Sequence, residues 1–454
     1  MKTSLFKLSL QWGIAALGII ILLLSMTACG ASPISDTTLS PGTVKQTEPA
    51  LPAVIGQAQA ADLMEQFTPR EVPARPVDAR FKADLYNFSA SLLREIYATD
   101  EEGKTTLISP LSILTALSMT ANGAREETLK QMEDVLFGGQ TMTLDDLNEY
   151  LHSYLNALPS TEESSFAFAN SIWFRDMEGF TVEQDFLQKN VDYYQAGVFK
   201  APFDETTVRD INDWVSTHTH HMIPSLLDKL GEKDRMLLIN ALVFEAKWAD
   251  PFDSQYSIHP GTFSCLDGSS VTVSQMNGSE YLYLSDENCT GFMKPYQGDR
   301  YHFVALLPDK DVAFDDFVAS ISAEKLEKLF AGVEHTKTLI RMPKFSYDYS
   351  RSLKNILASL GMPLAFTDAA NFDGIGNSRD MGLKIGDVLH KTHIDVDNEG
   401  TRAAAVTAVM VAECSAMPME PKTVYLDRPF LYMIIDTENE LPIFIGTLTR
   451  IETP

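Results

Sequence analysis

The 454-residue chain contains four cysteines, whose thiols are candidates for metal binding, disulfide formation or nucleophilic chemistry. They are Cys29, Cys265, Cys289 and Cys414. No two of them form a Cys-x-x-Cys pair, so the spacing argues against a zinc ribbon or a thioredoxin-type site. A disulfide between Cys265 and Cys289 stays open, because connectivity cannot be deduced from sequence.

Three histidines form a second chemically useful group, at His218, His220 and His221 near the end of a predicted helix. Imidazole nitrogens so close together suit a metal ion. An exposed helix end, where histidines interact favourably with the helix dipole, is the simpler interpretation. We therefore expect no metal and no cofactor.

Other features argue against an enzyme and against a nucleic-acid-binding protein. The sequence has no Gly-x-Ser-x-Gly elbow, no His-Glu-x-x-His and no Gly-x-x-x-x-Gly-Lys loop. Its formal net charge is −26, from 62 acidic and 36 basic residues, and it has no basic cluster to contact phosphates. We expect neither catalysis nor nucleic-acid binding.

One segment has a pattern that an ordinary loop does not need. Every second residue is small or β-branched and uncharged: Thr401, Ala403, Ala405, Thr407, Val409 and Val411. The intervening residues carry one charge, Arg402. This alternation is typical of a strand with one buried face. The residues from Glu413 to Pro421 include prolines that a central strand excludes, so they predict an exposed loop. The alternative is an ordinary sheet strand followed by a polar loop.

The elements that must position this segment are distributed unevenly along the chain. Helical periodicity predicts helices at Phe81–Ala98, Ile113–Met119, Glu126–Phe137, Leu144–Leu158, Val208–Thr219, Ala313–Phe330 and Ser352–Leu360. Strand patterns predict Phe166–Phe174, Leu237–Lys247, Thr262–Leu284, His302–Leu307, Thr338–Met342, Val424–Leu426, Phe430–Asp436 and Ile443–Leu448. Within Thr262–Leu284, the pairs Asp267-Gly268 and Asn277-Gly278 predict hairpin turns. Helices gather early and strands late, which predicts an α+β fold on large antiparallel or mixed sheets.

The N-terminus is predicted to be a targeting signal rather than part of the fold. Residues 1–28 combine an initial positive region, an apolar run and small residues, which is typical of a secretory signal. The residues before Cys29 resemble a bacterial lipoprotein box, with Met26 in place of the usual leucine. That resemblance implies lipid on Cys29 and a protein anchored to the cell envelope, outside the cytoplasm. The alternatives are a simple signal peptide or one anchoring helix.

The next segment, residues 29–80, is rich in proline, serine, threonine and alanine, and is predicted to be a disordered tether. A short helix is expected within Ala58–Phe67. The folded body is predicted to occupy residues 81–454.

Many separate motifs in one order make this body resemble the serpin family. The segment from Asp387-Val388-Leu389-His390 to Glu399-Gly400-Thr401 resembles the strand and hinge of serpins. Further motifs that resemble the family are Ser109-Pro110-Leu111-Ser112, Asn170-Ser171-Ile172-Trp173, Asn240 to Trp248 with Pro251-Phe252, Arg341-Met342-Pro343-Lys344-Phe345, Leu360-Gly361-Met362 to Ala365-Phe366, and Asp427-Arg428-Pro429-Phe430 to Phe444-Ile445-Gly446. The resemblance covers residues 81–451. It implies a serpin fold with three β-sheets, about eight or nine helices and an exposed reactive-centre loop.

The resemblance also implies a function. A serpin offers its loop to a protease, which cuts it and forms an acyl-enzyme. The freed part of the loop then inserts into the largest sheet and traps the protease covalently. The inserting residues must fit a tight gap without an unpaired charge, and the alternating set above meets that requirement. We therefore expect a monomeric inhibitor of a serine endopeptidase, with a cysteine protease as an open alternative.

Spacing within the family places the bait residue about fourteen positions after the hinge glycine, Gly400, which gives Cys414–Ser415 as the cleaved bond. A shift of one residue gives Glu413–Cys414, and cleavage as far as Met417 stays open. Cysteine, alanine and methionine suit a protease with a small or apolar primary pocket, whereas Glu413 would suit an acid-preferring one.

The resemblance further implies residues that control opening of the sheet. Ser109, Ser112, Asn240 and His390 match the serpin shutter, and Trp248 matches the place where the loop first enters. There are two departures from the family pattern. Asn398 replaces a hinge glutamate, for which Glu399 is a candidate substitute, and His220-His221 replaces a common Gly-Lys pair.

Two other functions stay open at this point. A serpin that no longer inhibits proteases would act as a surface-binding lipoprotein. An enzyme or metal protein would use the histidine group.

Overall fold

The computed structural model describes residues 60–100, 104–139, 142–158, 161, 164–401 and 420–452. The predicted signal, Cys29 and the tether up to residue 59 therefore lie outside the described residues. The same holds for the loop positions Ala403, Ala405, Thr407, Val409, Val411, Glu413, Cys414 and Ser415. Within the described ranges, no helix combines the length and the apolar character that crossing a bilayer requires.

The described residues form ten α-helices and one 3₁₀ helix, Pro363–Phe366. The α-helices are α1 (Ala79–Thr99), α2 (Pro110–Ala121), α3 (Glu126–Phe137), α4 (Leu144–Asn156), α5 (Gln184–Tyr194), α6 (Glu205–His218), α7 (Phe314–Ala319), α8 (Ala323–Ala331), α9 (Lys354–Leu360) and α10 (Ser378–Met381).

Sixteen strands are found in the same ranges. They are β1 (Ala61–Asp62), β2 (Thr106–Ile108), β3 (Ser164–Arg175), β4 (Gly197–Ala201), β5 (Met236–Lys247), β6 (Ile258–Ser264), β7 (Ser270–Ser285), β8 (Cys289–Pro295), β9 (Tyr301–Pro308), β10 (Glu334–Pro343), β11 (Phe345–Ser352), β12 (Asp387–Val396), β13 (Gly400–Thr401), β14 (Lys422–Tyr425), β15 (Phe430–Asp436) and β16 (Leu441–Leu448).

The strands assemble into two hydrogen-bonded sheets. The first sheet has seven strands in the order β1-β4-β3-β5-β13-β12-β11. The second has nine strands, in the order β14-β10-β7-β8-β9-β15-β16-β2 with β6 paired to β7. The 16-residue strand β7 pairs with β6 through its first half and with β8 through its last residues, so it joins what would otherwise be two smaller sheets. The expected α+β fold class is confirmed, but the described residues form two sheets and ten α-helices where three sheets and eight or nine helices were expected.

Helix α2 lies between the sheets, with contacts to β3 and β5 of the first and β16 of the second. Every residue of α2 is buried. It begins at Pro110, before the predicted Ile113, because Ser109 accepts a hydrogen bond from the Ser112 N–H and Pro110 occupies the first turn. The helix therefore presents serine side chains to the underside of the first sheet.

The expectation of a tether through residue 80 is wrong for residues 60–80. Ala61–Asp62 is a strand that pairs with β4, where a short helix was expected. Arg70 makes a salt bridge of 2.6 Å with Asp192 of α5. Asp78 then caps α1 by accepting bonds from two backbone N–H groups. Contacts with distant residues order this proline-rich segment, and local composition does not reveal such contacts.

Other differences also have local causes. The predicted helix Ala313–Phe330 is two helices, because the Ser322 side chain caps a new helix at Lys325 N. Asn277-Gly278 is not a turn but lies inside β7, where a Cβ on Gly278 would be 2.9 Å from the Phe252 ring. The turn at Asp267-Gly268 is found between β6 and β7.

Candidate functional site

The candidate site is the seam between strands β5 and β12 of the first sheet. At one end, β5 and β12 are directly paired and parallel over six residue pairs, from Leu237 opposite Asp387 to Leu242 opposite Thr392. At the other end they separate, and the two-residue strand β13 lies between them. Strand β13 is antiparallel to both neighbours, with Thr401 opposite Ala246 of β5 and Val396 of β12. The seam is thus occupied by β13 at one end, and at the other end, called the closed end below, β5 and β12 pair directly with each other.

Gly400 and Thr401, the predicted hinge residues, are the whole of β13. A Cβ on Gly400 would lie 2.2 Å from the Ala246 carbonyl oxygen, so this close approach of two backbones requires glycine. Thr401 is 2% exposed. Its hydroxyl is 2.6 Å from the Tyr296 hydroxyl. The hinge is therefore already part of the sheet, with the Thr401 side chain facing the core.

The turn that leads into β13, Asp397–Glu399, is held by backbone and indole donors and is called the hinge turn below. Trp248 donates from Nε1 to the Asp397 carbonyl at 2.9 Å and from its backbone N–H to the Glu399 carbonyl at 2.9 Å. Phe252 N–H donates to the Asn398 carbonyl at 2.9 Å. Within the turn, the Asp397 carboxylate accepts bonds from the Glu399 and Gly400 N–H groups. Trp248 thus lies where the resemblance placed it, beside the hinge.

The departure at Asn398 has a visible consequence. Lys344 donates from Nζ to Asn398 Oδ1, and Asn398 Nδ2 donates to Glu399 Oε1 at 2.7 Å. The amide therefore connects the ammonium to the neighbouring carboxylate. Glu399 is therefore linked to Lys344 through the intervening amide rather than by direct contact.

At the closed end, three polar side chains form a row across the sheet, which is called the shutter row below. Asn170 of β3 is opposite Asn240 of β5, and Asn240 is opposite His390 of β12. Asn240 Nδ2 donates to Asn170 Oδ1 at 2.6 Å and to the Ser112 hydroxyl at 2.5 Å. Ser112 N–H donates to the Ser109 hydroxyl at 3.3 Å. The structure therefore brings together all four predicted shutter residues.

His390 is neutral in this row. Ser109 N–H donates to His390 Nε2 at 3.4 Å, so Nε2 is unprotonated and Nδ1 carries the hydrogen. That Nδ1–H donates to Asn240 Oδ1 at 2.5 Å. Burial lowers the pKa of His390 to about 3, because the surroundings disfavour the charged imidazolium. The shutter row is thus a chain of neutral donors and acceptors.

Asn170 is the member of this row that sequence reasoning missed. Its motif contributed to the family resemblance, but no role was assigned to it. The useful signal is the strand register, because a polar residue at a buried position of β3 predicts a polar partner on the adjacent strand.

The histidine group does not converge on one point. The His218 ring stacks on Trp214 with centroids 4.1 Å apart, whereas His221 Nδ1 is 3.0 Å from the Ser216 hydroxyl. His220 and His221 have φ angles of 51° and 63°, the left-handed region that favours glycine. The His-His departure from a Gly-Lys pair therefore carries backbone strain. Among the described residues, no cluster of three potential metal ligands is present.

The two described cysteines are not bridged. Cys265 and Cys289 are both buried free thiols. Burial raises the pKa of Cys289 to about 12, so its thiol is protonated at neutral pH. The open disulfide alternative is therefore wrong for these two residues.

Comparisons with known proteins agree with the geometry of the seam described above. The family model described as Serpin (serine protease inhibitor) matches residues 83–451. The protein named intracellular coagulation inhibitor 2, of Tachypleus tridentatus, is 30% identical over 387 residues, which cover 82% of this chain and 91% of that protein.

Two crystal structures of the thermophilic serpin tengpin also match. In its native state tengpin is 42% identical with a TM-score of 0.81, and the match covers 87% of this chain and 100% of tengpin. In its latent state the identity is 38% and the TM-score 0.73, with coverage of 84% and 100%. The structure is therefore more similar to the native form than to the latent form.

Proposed function

The chain belongs to the serpin family of protease inhibitors, and from this membership we propose that it is a suicide inhibitor of a serine endopeptidase whose trap is the seam between β5 and β12. Serpins are inhibitors rather than catalytic enzymes, and they bind target proteases. The target and the reactive bond are part of the proposal.

The proposed reaction begins as ordinary proteolysis. The protease serine oxygen attacks the carbonyl carbon of Cys414, the bond to Ser415 nitrogen breaks, and the new amino terminus leaves with a proton. The residues up to Cys414 are then joined to the protease as an ester. Insertion of the freed segment into the sheet precedes hydrolysis of that ester and distorts the protease active site.

The observation that carries the proposal is the register of β13. Thr401 is opposite both Ala246 and Val396, so each further residue of an antiparallel strand moves one position back along β5 and β12. Six residues on, Thr407 meets Asn240 on one side and His390 on the other. Those two residues are already opposite each other. The same register therefore fits both walls of the seam.

This register explains why the side chains proposed to insert are small or β-branched and uncharged. Thr401 faces the core, so Ala403, Ala405, Thr407, Val409 and Val411 share its face by the period of a strand. Thr407 would place a hydroxyl, which both donates and accepts, between the Asn240 amide and the His390 imidazole. The shutter row would then exchange its direct bond for bonds through Thr407, and no buried polar group loses its partner.

Insertion also has a favourable balance of backbone hydrogen bonds. It breaks the six-pair parallel ladder between β5 and β12. It forms an antiparallel ladder on each side of the new strand, along roughly 40 Å of sheet. This surplus supports an uncleaved state that is held short of its lowest free energy by the intact loop.

The proposal is tested by incubating the protein with a panel of serine and cysteine proteases. We expect a complex that survives boiling in detergent with at least one serine protease, and mass spectrometry should place the ester on Cys414. An ester on Glu413, or on residues up to Met417, would move the reactive bond. Clean cleavage of the loop by every protease, with no complex, would contradict inhibition and favour a non-inhibitory surface lipoprotein.

We also propose that Cys29 carries lipid and that the mature protein is a monomer outside the cytoplasm. The support is the residue pattern of the first 29 positions. Expression in a bacterial host with labelled fatty acid should label the wild-type protein but not a Cys29→Ser variant. Equal labelling of both proteins would refute the anchor, and light scattering of the detergent-free mature body would test the monomer.

A further inference from the structure

A buried ion pair lies directly behind the hinge. Lys294 of β8 and Glu280 of β7 approach to 2.7 Å, with side chains only 2% and 10% exposed. Desolvation offsets most of the attraction in such a pair, so it adds little net stability. Stability alone therefore does not explain why charges occupy this part of the core.

The pair contacts the two residues that hold the hinge turn. The Lys294 ammonium is 5.4 Å from the Trp248 ring centroid and 4.5 Å from the Phe252 ring centroid, within the range of cation–π attraction. It also donates to the Asp250 carbonyl at 2.7 Å. The chain between Trp248 and Phe252 is thus fastened to one ammonium at three points.

Trp248 also connects the ion pair to strand β13. Trp248 stacks on Tyr296 with centroids 4.4 Å apart and planes within 12°, and Tyr296 bonds to Thr401. Trp248 and Phe252 supply all three donors to the carbonyls of the hinge turn described above. A displacement of Lys294 would therefore alter the contacts of both the hinge turn and Thr401.

We propose that Lys294 and Glu280 are positioning residues that restrain the hinge of the uncleaved protein and so set the rate at which a strand enters the seam. This inference rests on the proposed insertion mechanism. It identifies two rate-controlling residues that the serpin motifs quoted above do not include. The pair acts through Trp248 and Phe252.

The pair also makes this restraint sensitive to acid. Burial raises the pKa of Glu280 above its usual range, while Lys294 opposes that shift and Asp250 adds to it. These are the charged groups that act on Glu280, from β8 and from the segment after β5. Protonation of Glu280 removes the carboxylate charge that holds the Lys294 ammonium beside the two rings, so the restraint weakens as the pH falls through the raised pKa.

The test uses strand insertion without a protease. A synthetic peptide of residues 403–412 is added to the intact mature protein, and its incorporation is followed by the gain in thermal stability. We expect Glu280→Gln to accelerate incorporation about fivefold at neutral pH. We also expect acid to accelerate incorporation in the wild type but not in Glu280→Gln. Asp134→Asn, which neutralises the exposed Lys130–Asp134 pair, is the matched control and should behave as wild type.

A second variant protects the test against simple destabilisation. Lys294→Met combined with Glu280→Gln should match Glu280→Gln alone in rate and in lost acid response, because both remove one coupled unit. Equal rates and equal acid responses in the wild type and Glu280→Gln would overturn the inference. Faster incorporation in Glu280→Gln by a protein that traps no protease would support the inference and count against the proposed function instead.

Discussion

The two ends of the seam between β5 and β12 are built from different chemistry. At the hinge end, large aromatic side chains and backbone bonds hold β13 in place, and Thr401 already occupies the sheet. At the shutter end, the strands pair directly and the contact is a row of neutral polar groups, Asn170, Asn240 and His390. Strand β13 already separates β5 from β12 at the hinge end, whereas under the proposed mechanism the polar row would exchange partners without leaving a buried group unpaired. Under the proposed mechanism, this difference predicts that insertion proceeds from the hinge to the shutter.

The largest expected effect comes from a substitution that places a charge on the segment proposed to enter the shutter end. Thr407→Arg would bury a guanidinium between Asn240 and His390, at a cost of several kcal/mol. We expect the loop to be cleaved with no detergent-stable complex, so that the variant becomes a substrate. Gel analysis of the reaction with the target protease measures this.

Thr407→Ala is the control for that experiment, because it removes the hydroxyl without adding charge or bulk. It should still form the complex. A Thr407→Arg variant that traps protease as well as the wild type would contradict the register. Thr401→Arg is the less selective variant, since Thr401 is already buried in the uncleaved protein.

The hinge end is tested by Gly400→Ala. Its Cβ would collide with the Ala246 carbonyl, so β13 must leave the sheet, and we expect a loss of about 2 kcal/mol in the free energy of unfolding. Urea unfolding of the intact protein measures it. Gly332→Ala, whose Cβ would be 3.2 Å from the nearest atom, is the matched control and should lose much less.

The shutter end is tested by Asn240→Ala. The change leaves the His390 Nδ1–H without its acceptor and removes the amide donor to Asn170 Oδ1, so we expect a loss of roughly 1.5 kcal/mol in unfolding free energy. Removing the amide of the exposed Asn156 by Asn156→Ala provides the comparison. Equal losses in the two variants would show that the row is not a coupled unit.

The smallest expected effect is a pH dependence that belongs to the shutter end alone. The pKa of His390 is depressed to about 3 in the folded protein, below its ordinary value of 6.5. Its contribution to stability is therefore complete above pH 6.5 and is lost as the pH falls toward 3. Between pH 7.5 and 6 we expect a loss of less than about 1 kcal/mol, measured by urea unfolding. His390→Gln should lack this portion of the pH dependence, and an unchanged profile would contradict the assignment.

The sequence identified residues at both ends of the seam. Ser109, Ser112, Asn240 and His390 were identified by resemblance, and the structure brings them together because strand register and the cap of α2 place them on one face. Asn170 received no role, since its partner is distant in sequence and only the pairing of β3 with β5 reveals it.

The parts that sequence did not predict depend on non-local contacts. The segment from Ala60 to Arg80 was interpreted as a tether, but pairing with β4 and the ion pair to Asp192 order it. Lys294 and Glu280 lie in strands far from the hinge motif, and no periodicity marks a charge pair that becomes buried only when β7 and β8 assemble. Short-range patterns locate helices and strands, whereas tertiary contacts decide which polar groups are buried together.

The most direct measurement is a crystal structure of the protein after its loop has been cleaved between residues 413 and 417. The account predicts a continuous strand between β5 and β12, with Thr407 hydrogen-bonded between Asn240 and His390 and the direct bond between those two residues gone. A cleaved protein in which β5 and β12 keep their six-pair ladder, or in which a residue of the opposite face meets His390, would contradict it.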